Sequence, residues 1–240
     1  MRKRLALSML SVFAAIAVLA LLIWRGDIAL NHPSESDYPV RGVDVSHYQG
    51  EIDFQRLAEQ GVQFAFIKAT EGSASVDERL EQNLENVQSA PMRAGFYHFF
   101  SYDSPGSAQA ENFIMHVPAL EDMLPPVIDV EFYGDKASNP PDRAQVEPEL
   151  RALVNAIERE YGMKPILYCT RRAYRLYIQN AFEDCDLWIR SVYWRPRIDR
   201  GWTFWQYTDR AKLEGCSGEE PCIDLNVFCG TAEEFAKYPQ

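Results

Sequence analysis

Leu124-Pro125-Pro126-Val127-Ile128-Asp129-Val130-Glu131 decides how the chain is read. Two prolines open the stretch, a short apolar run follows, and two acids close it. Val127, Ile128 and Val130 are β-branched and suit a buried strand. On a strand, residues i and i+2 point to the same side, and a rise of about 3.3 Å per residue sets the Cα atoms of Asp129 and Glu131 roughly 6.6 Å apart. An apolar strand that runs into two acids is costly unless the acids serve a purpose. Carboxyls at that range interact, and the less solvated one keeps its proton to higher pH. Glycosidic cleavage needs such a pair. A protonated acid donates to the leaving oxygen while an ionised partner stabilises positive charge at the sugar. Glu131 has the longer reach and is the candidate acid, with Asp129 as the candidate anion. The plainer alternative is a solvated or loop-capping pair.

Outward from this strand, short β-type runs alternate with helical periodicity. Strands are expected over 40–45, 64–67, 94–100, 126–130 and 165–169. Helices are expected over 53–60, 77–90, 106–117, 143–161 and 171–178. After Asp186 the strands at 187–190, 203–207 and 223–228 have no full helices between them. Repeated strand–helix units predict a parallel sheet with helices outside. The helix-poor end points to an irregular TIM-like β/α barrel of about eight strands. A doubly wound sheet is the rival. It would carry a Gly-rich phosphate loop after its first strand, where this chain has Asp44-Val45-Ser46-His47.

Parallel barrels place their sites at the C-terminal strand ends. Those ends offer Asp44, then Lys68-Ala69-Thr70-Glu71-Gly72, Tyr97-His98-Phe99, Asp129-Val130-Glu131 and Asp224-Leu225-Asn226. Asp44 also fits a helix cap and Asp224 a turn. His98 is expected to pack or hydrogen-bond within the barrel. Lys68 and Glu71 suit an ion pair near the cleft, with Glu71 also a candidate substrate contact. Trp205, Gln206 and Tyr207 are candidates to line a sugar subsite, with a core role open for Trp205.

The 240 residues carry a net charge of −11. Met1-Arg2-Lys3-Arg4 is basic, and Leu5 to Trp24 is an uncharged run long enough to cross a hydrocarbon core of about 30 Å. The basic flank predicts export of the C-terminal part. Residues 1–24 are therefore expected to be a membrane anchor or uncleaved signal, 25–39 a linker, and 40–240 the barrel domain. A signal peptide cut at Ala15-Ile16-Ala17 is the alternative. The anchor reading places the domain in the periplasm or outside the cell. Residues 1–25 hold four of the 24 bases (Arg2, Lys3, Arg4 and Arg25) and no acids, so 20 bases face 35 acids beyond them, a net −15. That balance argues against a nucleic-acid partner. A monomer is expected. Five cysteines, Cys169, Cys185, Cys216, Cys222 and Cys229, permit disulfides in an oxidising compartment, with Cys216 and Cys222 bracketing a turn. No Cys-x-x-Cys spacing suggests zinc.

Six motifs in order resemble the glycoside hydrolase family 25 lysozymes, the Chalaropsis-type N-acetylmuramidases. They are Arg41-Gly42-Val43-Asp44-Val45-Ser46-His47-Tyr48-Gln49-Gly50, Phe64 to Gly72, Ala94-Gly95-Phe96-Tyr97-His98-Phe99, Leu124 to Glu131, Phe204-Trp205-Gln206-Tyr207-Thr208 and Asp224-Leu225-Asn226-Val227-Phe228. The resemblance covers about 40–230. It implies an irregular barrel and hydrolysis of the β-1,4 bond between N-acetylmuramic acid and N-acetylglucosamine, with peptidoglycan strands as the partner. By matching motif, Glu131 is the general acid and Asp129 assists the substrate's 2-acetamido group. Asp44 and Asp224 match two further active-site acids, and Tyr97 matches a cleft tyrosine. No metal or other cofactor is implied. The chain departs from the pattern after Trp188, where Arg190 puts a cation near the cleft rim. A non-catalytic wall binder and a chitinase-like D-x-E glycosidase remain as alternatives. An acid-side pH optimum is expected for an enzyme of this kind.

Overall fold

Nine strands follow one another along the chain: β1 (Arg41–Val45), β2 (Phe64–Glu71), β3 (Ser75–Val76), β4 (Arg93–Phe99), β5 (Val127–Val130), β6 (Ile166–Thr170), β7 (Leu187–Arg190), β8 (Phe204–Ala211) and β9 (Ile223–Phe228). The structure, a computed structural model, describes residues 2–28, 30–218 and 222–239. β1, β2, β4, β5, β6, β7 and β8 pair in parallel. β9 lies antiparallel to both β8 and β1 and closes the ring. Eight strands thus form the irregular β/α barrel, and β3 is a short flap paired with β2.

Alternation along the strands sorts residues between two cores. Phe64, Phe66, Val127, Ile166, Tyr168, Trp188, Phe204 and Phe228 point into the barrel and pack together. Gly42 and Gly95 make room for them. A Cβ on Gly42 would sit 2.3 Å from the Phe64 ring, and one on Gly95 would sit 2.7 Å from Phe66. The lower barrel is therefore an aromatic plug, and only its upper end is free for polar chemistry.

Val43, Ala65, Ile67, Phe96, Ile128, Val130, Leu167 and Ile189 point outward, into the larger core under the helices. Those helices are α2 (Phe54–Glu59), α3 (Leu80–Val87), α4 (Gly106–His116), α5 (Arg143–Tyr161) and the short α6 (Arg171–Ala173), which runs on into a wide turn over Tyr174–Ile178. In α5 the buried stripe Val146, Leu150, Leu153, Val154 and Ile157 follows helical periodicity. Gly162 stops the helix in the left-handed conformation, at φ 68°. Asp53 starts α2 by accepting the Arg56 backbone N–H at 2.8 Å. A last helix over Ala232–Ala236, not expected from the sequence, packs Phe235 against the barrel base.

Helices α4 and α5 touch at Gly106, where an added Cβ would lie 1.9 Å from the Glu149 carbonyl oxygen. Backbone meets backbone there, and neither side can rotate away. Gly106→Ala should lower stability by about 2–3 kcal/mol. Urea unfolding should show the midpoint fall with the slope unchanged.

The outer face of β8 and β9 has no crossover helix. Tyr38 covers it instead, stacking on Trp202 (centroids 6.1 Å) and meeting Trp205 edge-on (5.8 Å). Asn31 Nδ2 donates to the Ser191 carbonyl at 3.0 Å, and Arg41 donates to the Pro33 carbonyl at 2.8 Å. The stretch expected to be a free linker is thus partly barrel wall: aromatic packing and backbone hydrogen bonds hold 31–39 in place of a helix. Upstream, a helix spans Arg2–Trp24, with side chains described at 9 and 12–23. Among the described residues no helix is long and apolar enough to cross a membrane. The expected membrane anchor is not met there, and its remaining side chains lie outside the described residues.

Candidate active site

The inward-facing residues at the C-terminal ends of the strands line a cleft of about 230 Å³. Asp44 enters it from β1, Lys68 from β2, Tyr97 and Phe99 from β4, and Asp129 and Glu131 from β5 and the residue just past it. Tyr168 enters from β6, Trp188 from β7, Gln206 from β8 and Asp224 from β9. Larger hollows, of about 350, 530 and 540 Å³, lie elsewhere and include none of these residues.

The cleft floor is a hydrogen-bonded network whose polarity can be assigned. Tyr168 Oη donates to Gln206 Oε1 at 2.9 Å, which turns Gln206 Nε2 toward two acids. Nε2 donates to Asp44 at 2.9 Å and to Asp224 at 2.8 Å. Trp188 Nε1 donates to Asn226 Oδ1 at 2.8 Å, and Asn226 Nδ2 donates to Asp44 at 2.8 Å. Asp44 and Asp224 are direct Cα partners across β1 and β9, and Gln206 Nε2 donates to both carboxyls. Burial pushes Asp44 up to about 6, with the amide donors of Asn226 and Gln206 opposing the rise. Burial, then the charge of Asp44, lifts Asp224 well above the carboxylate range. Both carboxyls thus hold their protons to higher pH than a free one, as a close buried acid pair resists double ionisation.

A carboxyl with a raised pKa stabilises the fold most below its unfolded value and loses that contribution as pH climbs through the folded value. Stability should therefore fall between about pH 4 and pH 7. Asp44 alone contributes about 2 kcal/mol of that fall, once discounted for cleft water. Thermal melts of Asp44→Asn should show a flatter dependence across this window; an unchanged slope would count against the assignment.

Asp129 and Glu131 both reach the cleft, as the strand spacing requires. Burial, followed by the charges of Glu131 and Asp44, raises Asp129 well above its usual range. Glu131 is raised by burial, against the lowering effect of Arg190. Asp129 Oδ1 is buried and has no hydrogen-bond partner among the described residues. An orphaned buried acceptor is costly, and a donor brought by a ligand would satisfy it.

Of the residues expected to touch substrate, Tyr97 and Gln206 lie in the cleft. Glu71 does not line it. It pairs with Lys68 at 2.7 Å in an adjoining hollow that also holds His47 and Asp77. Trp205 and Tyr207 lie on the outer face of the barrel with Tyr38 and Val227. The pleat that turns Gln206 inward turns Trp205 and Tyr207, one residue to either side, outward. Trp205 Nε1 instead donates to the Ser191 carbonyl at 2.9 Å. Sequence reading missed Tyr168 and the cleft role of Trp188, whose only signal was an aromatic at an inward strand position.

His98 is fully buried in the wall. It accepts from Thr70 Oγ1 at 2.8 Å and donates to Gln109 Oε1 at 3.0 Å, whose amide nitrogen is already committed to carbonyls. Burial takes it down to about 4, so it is neutral. His47 bonds Asp77 at 2.8 Å. All five cysteines are free thiols, so the Cys216–Cys222 pairing is not formed. Among the described residues no His, Cys, Asp and Glu group is arranged to hold a metal.

An eight-stranded barrel with four cleft acids and an inward D-x-E is the frame for comparison. The family model for glycosyl hydrolases family 25 matches residues 43–216. The chain belongs to glycosyl hydrolase family 25. It is a glycosidase. The solved structure of a family 25 glycosyl hydrolase from Bacillus anthracis matches with a TM-score of 0.84 at 52% identity, over 89% of this chain and 98% of that one. The uncharacterized protein YegX of Escherichia coli K12 is 35% identical over 85% of this chain and 74% of its own. Lysozyme M1 of Streptomyces globisporus is 30% identical over 80% of this chain and 69% of its own. As a family 25 barrel, the chain carries Arg190 at the end of β7, immediately beside Gln206 in the register.

Proposed function

We propose that this family 25 enzyme is a muramidase that hydrolyses the β-1,4 bond between N-acetylmuramic acid and N-acetylglucosamine in peptidoglycan. The observation that carries the reading is the pair Asp129 and Glu131, entering one cleft from adjacent inward positions while Asp129 Oδ1 lacks a partner. Lysozyme M1, a relative by sequence, supports the substrate class through its name.

Burial raises both carboxyls, and the charge of Glu131 raises Asp129 further, so the pair resists losing both protons. A bound sugar presents its acetamido N–H to Asp129 Oδ1, and that hydrogen bond favours the charged form of Asp129. The proton then resides on Glu131. Glu131 donates it to the glycosidic oxygen as the C1–O bond breaks, and the acetamido carbonyl oxygen closes on C1. Asp129 steadies the cationic ring so formed. Glu131, now a carboxylate, takes a proton from the water that reopens the ring, and the configuration at C1 is retained. Tyr97, held neutral by burial beside Asp44 and Asp129, supplies a phenolic donor on the cleft wall.

The work is placed outside the cytoplasm, where this polymer lies, in keeping with the basic and apolar N-terminal sequence. The catalytic unit is assigned to 40–240. The deciding experiment digests purified wall with the native enzyme and with Glu131→Gln, then identifies the new reducing ends. Muramic acid at those ends supports the reading; N-acetylglucosamine there would make the enzyme chitinase-like. Equal clearing by both proteins would remove Glu131 from its role.

A further inference from the structure

We propose that Arg190 is a specificity-determining residue that receives a carboxylate carried by the wall glycan, an inference that rests on the muramidase reading. Arg190 closes β7, two residues after Trp188 and therefore on the same inward face of the barrel, and its Cα neighbours are Thr170 on one side and Gln206 on the other. One edge of its guanidinium is held by Asp209, with Nη2 at 2.6 Å from Oδ2. Its other N–H groups have no partner among the described residues, and the side chain is 33% exposed. A guanidinium anchored along one edge and open along the other is a ready receptor for a planar oxyanion.

The turn that follows is fixed from outside the barrel. The Ser191 carbonyl accepts from both Trp205 Nε1 and Asn31 Nδ2, and Ser191 Oγ donates to the Trp194 carbonyl at 2.6 Å. Arg190 is thus held on a rigid support. Lys68, the cation that lines the cleft itself, is already taken by Glu71, and Arg190 stands at the rim. In an enzyme with a net −15 beyond its first 25 residues, Arg190 is the group that makes a negatively charged substrate acceptable at the acid-rich mouth.

Two wall carboxylates share this chemistry: the lactyl carboxyl of a muramic acid stripped of its peptide, and a carboxyl of the peptide stem. Docking either one on Arg190 neutralises the cation that holds Glu131 down, so the substrate itself favours the protonated acid. Around Glu131 in the cleft stand Asp129, Tyr168 from β6, Asp44 from β1, Asp224 from β9, and Lys68 and Tyr97 from β2 and β4, and the charge of Arg190 acts on it from the end of β7. Arg190 is the cation among them that has an open edge.

The test compares three substrates: intact peptidoglycan, glycan stripped of peptide, and stripped glycan with its carboxyls capped as methylamides. The native enzyme should prefer stripped over capped glycan by about tenfold in kcat/KM if the lactyl group is the ligand, or intact over capped by as much if the stem is. Arg190→Ala should abolish that preference through KM, and Arg190→Lys should keep part of it. The alkaline limb of kcat/KM should move to higher pH in Arg190→Ala, because Glu131 loses an adjacent positive charge, and should stay in Arg190→Lys. A preference that survives Arg190→Ala, or a native enzyme indifferent to capping, overturns the proposal. Release of muramic acid ends by the native enzyme on any of the three keeps the muramidase reading standing in either case.

Discussion

Glu131→Gln should lower kcat on wall glycan by about a thousandfold to ten-thousandfold, the upper part of what a positioned general acid supplies. A sugar alkoxide is a poor leaving group and cannot depart without a proton. Glutamine fills nearly the same space in the cleft and keeps its polarity, but has no proton of suitable acidity to give. KM should change little, since the side chain still fits. Two signatures separate this from a general loss of structure. The alkaline limb of the native pH profile should vanish, because it reports ionisation of the acid. An aryl glycoside with an acidic phenol as leaving group should recover most of the rate, because its departure needs no proton. If the variant is as impaired on the activated glycoside as on the wall, Glu131 is not the proton donor.

How much of this was legible in the sequence depends on whether one or two faces of a strand are buried. The β5–α5–β6 unit could be read almost to its ends, because Val127–Val130 is short and apolar and Arg143–Tyr161 carries a clean helical stripe. The pair at Asp129 and Glu131 came with it, since a separation of two on a strand is a statement about facing. The Phe204–Tyr207 run failed for the opposite reason. Phe204 lies inside the barrel and Trp205 outside, and both are buried. When both faces are apolar, alternation no longer shows which is which. Tyr207 is therefore expected in a sugar subsite and Trp205 there or in the core, whereas both hold the outer wall. Tyr168 and Trp188 were hidden by the same effect, as an aromatic in an apolar strand looks like core until its polar tip is seen bonded across the barrel to Gln206 or Asn226. The segment 31–39 has no periodicity at all. Its attachment rests on single groups, such as the Asn31 amide and the Tyr38 ring, that no pattern announces.

Asp129→Asn should also cost about a hundredfold to ten-thousandfold in kcat, but with a different signature, and the contrast tests the division of labour. Asp129 is the more deeply buried of the pair, and burial with the charge of Glu131 raises it well above its usual range. A reading based on the resting enzyme alone would make Asp129 the acid. The orphaned Oδ1 argues otherwise, because an oxygen without a donor in the protein is suited to take one from the substrate. Asparagine removes the negative charge that steadies the acetamido-derived cation, and no leaving group can restore it. The loss should therefore be as large on an activated aryl glycoside as on wall glycan. The variant should also be at least as stable as the native protein at neutral pH, since a buried carboxylate that resists ionisation has been replaced by a neutral amide. Recovery of Asp129→Asn by a good leaving group, with no recovery of Glu131→Gln, would exchange the two roles.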